Sequence, residues 1–243
     1  MVKFKKFFAK VFNKHLFNPD WRCLNCGREI FGKEKFCKDC LDILPVNDGY
    51  ICGHCGRAVI APENYCTTCK NNLVSLDKCR SYFIYKKPVS NMIQRLKYSN
   101  QRYLVDYFAD CLKFIYLQNY FNADYLTFVP MTEKSERRRG YNQSKLLAEA
   151  LSRLTEVPVY CGLVKKNETK RQATLGRNDR LKNLQDSFRI KDKKSVVDKT
   201  LVIIDDVATT GATAEVIAKA LKRAGAKTVY LITVASTPPL DKY

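Results

Sequence analysis

A chain of 243 residues exceeds the usual single-domain size, so one large domain with a small additional module is the natural division. Hydrophobic residues at 46% and charged residues at 28% exclude a disordered or fibrous chain, and no run approaches the roughly 20 apolar residues of a transmembrane helix. A net charge of +19, from 43 Lys and Arg against 24 Asp and Glu, points to polyanionic partners: nucleic acid, phosphorylated metabolites or an acidic membrane surface.

Residues 1–20 fit a basic amphipathic helix. Phe4, Phe7, Phe8, Val11 and Phe12 fall on one side, with Lys3, Lys6, Lys10 and Lys14 on the other. Such a helix can touch a membrane or DNA, or pack on its own protein. Its regularly spaced lysines leave no uninterrupted apolar segment for export, so a cytoplasmic location is expected.

Eight of the 11 cysteines then form two copies of C-x2-C-x10-C-x2-C: Cys23, Cys26, Cys37 and Cys40, followed by Cys52, Cys55, Cys66 and Cys69. The copies lie 29 residues apart, and glycine follows Cys26 and Cys55 in both, as in a tandem duplication. Two C-x2-C turns complete the tetrahedral four-sulfur shell that zinc prefers, and no ligand position is left open. Two structural zinc sites are therefore expected in a double ribbon spanning residues 21–72; a disulfide framework would need an oxidising compartment. Spacing leaves open whether the ligands pair within or between copies; the within-copy arrangement is the expected one. Eight thiolates and two Zn²⁺ bring the effective charge to about +15. His54, inside the second C-x2-C turn, is expected to be an exposed ring. Cys79, Cys111 and Cys161, each among apolar residues, read as buried core thiols.

From Cys79 onward the periodicity changes to that of an α/β domain, residues 79–240. "RSYFIYKKP" reads as a strand or hairpin, and "VSNMIQRLKY" and "RYLVDYFADCLKFIYLQNYF" as helices. "DYLTFVP" is an apolar strand, "YNQSKLLAEALSRL" a helix, and a short strand follows near Val157 to Val164. Polar "KNETKRQATLGRNDRLKN" is too long for a passive connection and is a candidate active-site loop. "SFRI" and "TLVIIDD" are strands, "GATAEVIAKALKRAG" a helix stopped by Gly225, and "KTVYLITVAS" the last strand. The alternation predicts a mostly parallel sheet flanked by helices, with ligands at the carboxyl ends of its strands.

One strand end carries the chemistry. After Leu201 to Ile204, Asp205 and Asp206 precede a turn of Ala208, Thr209, Thr210, Gly211, Ala212 and Thr213 that opens a helix. Small and hydroxyl residues at a helix start let backbone N–H groups, the helix dipole and threonine hydroxyls surround a phosphate, and Gly211 permits close approach. Neither a Walker A loop nor G-x-G-x-x-G is present. Adjacent carboxylates beside a phosphate cradle suit a ribose 5-phosphate, whose hydroxyls they accept. No histidine occurs beyond residue 54, so a Ser–His or Cys–His dyad in the large domain lacks its base.

"LVIIDDVATTGAT" resembles the 5-phosphoribosyl-1-pyrophosphate (PRPP) motif of type I phosphoribosyltransferases. With "RLKY", "VPMTEKSERRRGYNQSKLLAEAL" and "RQATLGRNDRLKNLQDSF" in this order behind a double zinc ribbon, the chain resembles the ComF family from about Trp21 to Ser236. The resemblance implies a type I phosphoribosyltransferase-like fold. It gives Asp205 and Asp206 to ribose contact, residues 208–213 to the 5′-phosphate, and Met131 and Thr132 to the pyrophosphate turn. It places Lys170, Arg171 and Gln172 in a mobile loop, with Arg138 and Arg139 as further phosphate candidates; a solvated basic turn is the alternative for residues 137–139. Mg²⁺ would accompany PRPP, held mainly by the ligand's own oxygens and oriented by Asp205 and Asp206. No residues name an acceptor, so phosphoribosyl transfer to an unknown acceptor stands beside a non-catalytic, ligand-sensing scaffold. The family further implies DNA uptake, with single-stranded DNA and competence proteins as partners. Aromatic–basic neighbours supply candidate stacking sites at Tyr82, Phe83 and Tyr85 with Lys86 and Lys87, at Tyr98 with Lys97, and at Tyr141.

Overall fold

A computed structural model describes residues 21–31, 34–59, 65–70, 75–166 and 187–238. The amphipathic segment 1–20 and Lys170, Arg171 and Gln172 of the long polar segment lie outside the described residues. The chain divides into two compact units, one ending at Leu44 and one beginning at Pro45. The two cysteine clusters therefore belong to different units.

In the first unit a short helix, α1 (Lys38–Leu41), follows Cys37. The knuckle is closed by the Gly27 N–H donating to the Cys23 carbonyl, 2.9 Å, and by the Cys23 N–H donating to the Arg28 carbonyl, 2.8 Å. Arg28 forms an ion pair with Asp39 at 2.8 Å. Cys23, Cys26, Cys37 and Cys40 bring their sulfurs within 4.8 Å of one another.

The second unit repeats the knuckle and adds the sheet. Cys52, Cys55, Cys66 and Cys69 form the second four-sulfur cluster, the last from α2 (Thr67–Lys70). Ligands thus pair within each copy. A Zn–S length of about 2.3 Å gives a tetrahedron with edges of about 3.8 Å. Cys26 to Cys37 at 3.8 Å and Cys55 to Cys66 at 3.7 Å match that edge. The donor chemistry and the spacing both fit zinc. Burial raises the Cys23 thiol, but backbone N–H groups of Cys26, Cys37 and Asn25 outweigh it, leaving a value of about 6 that favours the ligating thiolate.

Four strands, β1 (Lys78–Ile84), β2 (Tyr125–Phe128), β5 (Thr200–Ala208) and β6 (Thr228–Ser236), form one parallel sheet in the order β1-β6-β5-β2. The central β5 and β6 read as continuous apolar runs because both faces are covered. Helices α3 (Val89–Tyr98), α4 (Leu104–Gln118), α5 (Glu133–Arg139), α6 (Gln143–Thr155) and α7 (Ala212–Arg223) complete the unit. Helices α4 and α6 pack on each other; α4 also packs on β1 and β6, and α6 on β2 and β5. Leu201 and Ile203 of β5 join Val229 and Leu231 of β6 and Ile217 and Leu221 of α7 in one buried cluster. An antiparallel pair, β3 (Leu163–Lys165) with β4 (Phe188–Ile190), contributes Leu163, Phe188 and Ile190 to the same cluster.

"RSYFIYKKP" forms a single strand paired in parallel with β6, not a hairpin. Residues 133–139 form a helix where a turn was the alternative, because Thr132 caps it at one end and Gly140, left-handed at φ 85°, closes the other. Cys79 and Cys111 are buried as expected, whereas Cys161 is exposed. His54 also departs from expectation: it is only 9% exposed, and burial lowers its pKa. Its carbonyl accepts the Cys79 N–H of β1 at 2.7 Å, which draws the knuckle and its ring against the strand. Among the described residues no helix is long and apolar enough to cross a membrane.

The duplicated knuckles give a paired test. Gly27 and Gly56 both adopt positive φ, at 75° and 66°. A Cβ at Gly27 meets nothing within 4 Å, while one at Gly56 would lie 2.4 Å from the Cys79 carbonyl oxygen. Gly27→Ala is expected to cost about 1–2 kcal/mol from backbone conformation alone. Gly56→Ala should cost at least about 2 kcal/mol more in denaturant titrations, because backbone must shift.

Candidate functional site

β5 carries its apolar run past Ile204, so Asp205 and Asp206 lie inside the strand, three residues before its end. Strand geometry sends successive side chains to opposite faces, and the two carboxylates have different partners. Asp205 accepts a hydrogen bond from Ser144 Oγ, at the start of α6, at 2.7 Å. Its Oδ1 also accepts the Asp206 N–H at 2.9 Å. Asp206 is only 3% exposed and forms an ion pair with Lys97 in the last turn of α3. Burial, and then the charge of Asp206, push the Asp205 carboxyl up to about 8, while the Ser144 hydroxyl and the Asp206 N–H act in the opposite direction.

Beyond the carboxylates the chain turns through Thr209, Thr210 and Gly211 into α7. Gly211 is the N-cap at φ 76° and has no side chain with which to cap the helix, so the N–H groups of a helix start adjoin the turn. Thr209, Thr210 and Thr213 are exposed, and Ala208, Gly211 and Ala212 are half-buried. Thr210 Oγ1 accepts the Ala212 N–H at 3.3 Å. The turn is braced from behind: the Thr237 N–H donates to the Ala208 carbonyl at 3.0 Å, and Thr237 Oγ1 to the Thr209 carbonyl at 3.1 Å.

β2, the neighbour of β5, ends at Phe128 opposite Ile204 and leads to Met131 and Thr132. Thr132 is buried; its hydroxyl caps α5 by accepting the Ser135 N–H at 3.3 Å and donates to Ser135 Oγ at 3.0 Å. Asn142 caps α6 in the same way, accepting the Ser144 and Lys145 N–H groups, and its amide donates to the Val129 carbonyl at 3.1 Å. These caps fix the α6 start that delivers Ser144 to Asp205. Arg139 donates to Gln143 Oε1 and lies 5.1 Å from the centre of the Tyr98 ring. Arg102 lies 4.4 Å from the Tyr141 ring, whose hydroxyl donates to the Leu96 carbonyl. Arg138 is exposed, and Arg137 pairs with Glu133 at 2.9 Å.

The double zinc ribbon model matches residues 14–71, and the phosphoribosyl transferase domain model matches residues 138–241. Competence protein F of Haemophilus influenzae is 30% identical over 215 residues, 85% of this chain and 81% of that protein. The chain belongs to the ComF family. Two further relatives are the DNA utilization protein YhgH of Escherichia coli K12, 32% identical over 63% of this chain and 69% of its own, and competence protein ComFC of Streptococcus pneumoniae, 30% identical over 62% and 64%. A parallel sheet with flanking helices and a type I phosphoribosyltransferase-like domain, preceded by two four-cysteine zinc-ribbon sites, is therefore the architecture of this ComF chain.

Sequence reasoning for this ComF chain overestimated the exposed aromatics. Phe83 and Tyr141 are buried, so neither ring is free to stack on a base; Tyr98 is 70% exposed, with Arg139 against its ring. It also missed a groove of about 780 Å³ between the β3–β4 pair and the end of α7. Lys166, Arg189, Lys191, Lys193, Lys194 and Arg223 rim it over an apolar floor of Phe188, Ile190, Ala220 and Ala224. Its one carboxylate, Asp192, accepts from Ser195 Oγ and from the Lys194 and Ser195 N–H groups. The run "RIKDKK" was the available signal; what was lacking was knowledge that it borders a helix end.

Lys97→Met leaves Asp206 buried and uncompensated, so a loss of about 3–5 kcal/mol is expected. Adding Asp206→Asn should restore most of it in a double-mutant cycle. The raised pKa of Asp205 means that the native state holds a proton which the unfolded chain releases above about pH 4. Wild-type stability should therefore decline between about pH 4 and 8 from this group. Asp205→Asn, which keeps the acceptor for Ser144, should match wild type near pH 4 and exceed it by about 1–3 kcal/mol at pH 7.5.

Proposed function

We propose that this ComF-family protein binds a ribose 5-phosphate ligand, PRPP in the first instance, at residues 205–213, and that it handles single-stranded DNA during uptake of DNA into the cytoplasm. The observation that carries the ligand reading is the Gly211-led start of α7, with exposed Thr209, Thr210 and Thr213, just beyond a carboxylate pair in a central parallel strand. The turn supplies N–H and hydroxyl donors for a phosphate, and Asp205 supplies an acceptor for a sugar hydroxyl. Asp206 meets the sugar only if its charge is shared with Lys97, which makes Lys97 a cation close to the departing pyrophosphate. The boundaries 21–72 for the ribbon and 79–240 for the ligand-binding domain belong to the same reading.

Mg²⁺ fits as a companion of the ligand, not as a resident ion. Asp206 is neutralised by Lys97 and Asp205 holds Ser144, so the carboxylates do not make an open cation site. When bound, the ion offsets charge on the pyrophosphate. Met131 and the backbone after Thr132 then border the pyrophosphate, with Arg138 and Arg139 on the following helix.

The DNA reading is supported by the relatives named for competence and DNA utilization, by the net charge of +19, and by the cationic groove with its apolar floor. Phosphates suit the rim. Competence proteins are the partner class that such a role implies. A second reading, transfer of phosphoribose to an acceptor, is favoured by the match to the phosphoribosyl transferase model and by Asp205, whose carboxyl lies near the range a general base requires.

Calorimetry with PRPP and Mg²⁺ should show binding by wild type and at least a tenfold loss for Asp205→Ala with Thr209→Ala; equal affinity would reject the site. For DNA, anisotropy with a single-stranded oligonucleotide should give a log–log salt slope of about 0.7 per phosphate contact. A flat salt response would reject electrostatic binding. Pyrophosphate release on adding nucleobases, amines or oligonucleotides would establish transfer and name the acceptor.

A further inference from the structure

The two ribbon copies share the tripeptide Cys-Gly-Arg, at 26–28 and 55–57, yet the two arginines have different partners. Arg28 closes on Asp39 within its own knuckle. The residue 29 positions after Asp39 is Thr68, so the second copy has no carboxylate at that place. Arg57 instead donates to the carbonyl of Thr209, in the turn that precedes α7.

Arg57 makes this contact from a fixed base. The Cys52 N–H donates to the Arg57 carbonyl at 2.9 Å, and the Gly56 N–H to the Cys52 carbonyl at 3.0 Å, so the arginine's backbone belongs to the metal knuckle. The knuckle is pressed onto β1. His54 accepts the Cys79 N–H, the Gly53 carbonyl accepts Arg80 Nη1 at 3.1 Å, and Asn47 Nδ2 bridges the Gly56 and Ser81 carbonyls at 2.9 and 3.2 Å. A second arm leaves the ribbon at its other end. The Ser75 and Leu76 N–H groups donate to the Glu215 carboxylate in the first turn of α7, whose N–H in turn donates to the Gly211 carbonyl. The 209–213 turn is thus gripped on both flanks by chain belonging to, or emerging from, the second cysteine cluster.

We propose that Arg57 is a positioning residue for the 209–213 turn, and that zinc at the second cluster and ligand at the turn are thermodynamically linked through it. The linkage rests on the ligand reading above; the positioning role does not. Zinc fixes the knuckle, the knuckle fixes Arg57, and Arg57 holds the Thr209 carbonyl away from the space that the turn's N–H groups face. A turn held in its binding conformation before the ligand arrives loses less conformational freedom on binding. Because binding linkage is reciprocal, the ligand must also tighten the metal.

Hydrogen exchange on the ligand-free, zinc-loaded protein tests the positioning role directly. Arg57→Ala should accelerate amide exchange in residues 209–213 by about three- to tenfold, the effect of losing one ordinary, solvent-exposed hydrogen bond. Zinc content should stay at two per chain. Arg57→Lys, which keeps a cationic donor, should retain most of the protection. Thr68→Asp, which leaves Arg57 in place but offers it the carboxylate of the first copy, should resemble Arg57→Ala. Unchanged exchange in Arg57→Ala overturns the proposal. The linkage is read as zinc release to a chelator: saturating ribose 5-phosphate should slow it in wild type and not in Arg57→Ala. Equal release rates with and without a sugar that binds would overturn the linkage. Accelerated exchange in Arg57→Ala, in a protein whose wild type binds neither ribose 5-phosphate nor PRPP, would uphold the positioning role and reject the ligand reading alone.

Discussion

Two adjacent carboxylates inside a central strand are costly unless each is compensated, because the interior offers no water and like charges repel across one peptide unit. The arrangement around β5 follows from that constraint. Asp206 requires a cation that can reach it with little exposure, and Lys97 in the last turn of α3 meets it. Asp205 requires donors, and the α6 start is fixed by Asn142 so that Ser144 supplies one. The same compensation leaves Asp205 poised between charge states. A site that is to receive a polyhydroxylated anion gains from acceptors that are not both fully charged beforehand. The strand end is therefore less stable than an apolar one would be, as is usual where binding groups are stored in a folded core.

The ribbon shows how duplication separates structure from use. Both copies retain the four sulfurs, the left-handed glycine and the arginine that follows it, because the knuckle requires the first two and tolerates the third. What differs lies outside the knuckle. Gly27 has open space around it and Gly56 faces a strand; Arg28 has Asp39 and Arg57 has none equivalent. The counterpart of Asp39 in the second copy is Thr68, and Arg57 reaches the Thr209 carbonyl instead.

Legibility in the sequence tracked the range of the interactions involved. The cysteine spacing, the apolar run of β5, the hydroxyl-rich turn and the glycine at its hinge are local patterns, although β5 runs on through Asp205 and Asp206 to Ala208 where the pattern ended it at Ile204. The pairing of ligands within each copy could not be read from spacing, but it follows once each knuckle closes on its own backbone hydrogen bonds. Contacts between distant segments were not legible. Nothing in "RLKY" says that its lysine will meet a carboxylate more than a hundred residues later. His54 is buried where a strand twenty-five residues away takes its carbonyl, and Cys161 is exposed. The family resemblance gives Thr132 to a pyrophosphate turn, and no sequence pattern announced that its hydroxyl caps a helix.

Net charge was the coarsest of the sequence signals, and the fold sorts it into two populations. Lys97, Arg102, Arg137 and Arg139 are each engaged with a carboxylate, a ring or an amide near the strand ends. The cations around the β3–β4 pair instead rim an open groove whose one carboxylate is turned to its own backbone and to Ser195. A polyanion approaching from solvent is attracted by both, but displacing the first group means breaking contacts that hold helices in place. α7 spans the interval between them, its start at the phosphate turn and its end at the groove, a rise of about 18 Å over 12 residues. The two proposed sites, one for a sugar phosphate and one for a nucleic acid strand, would therefore lie at opposite ends of one helix.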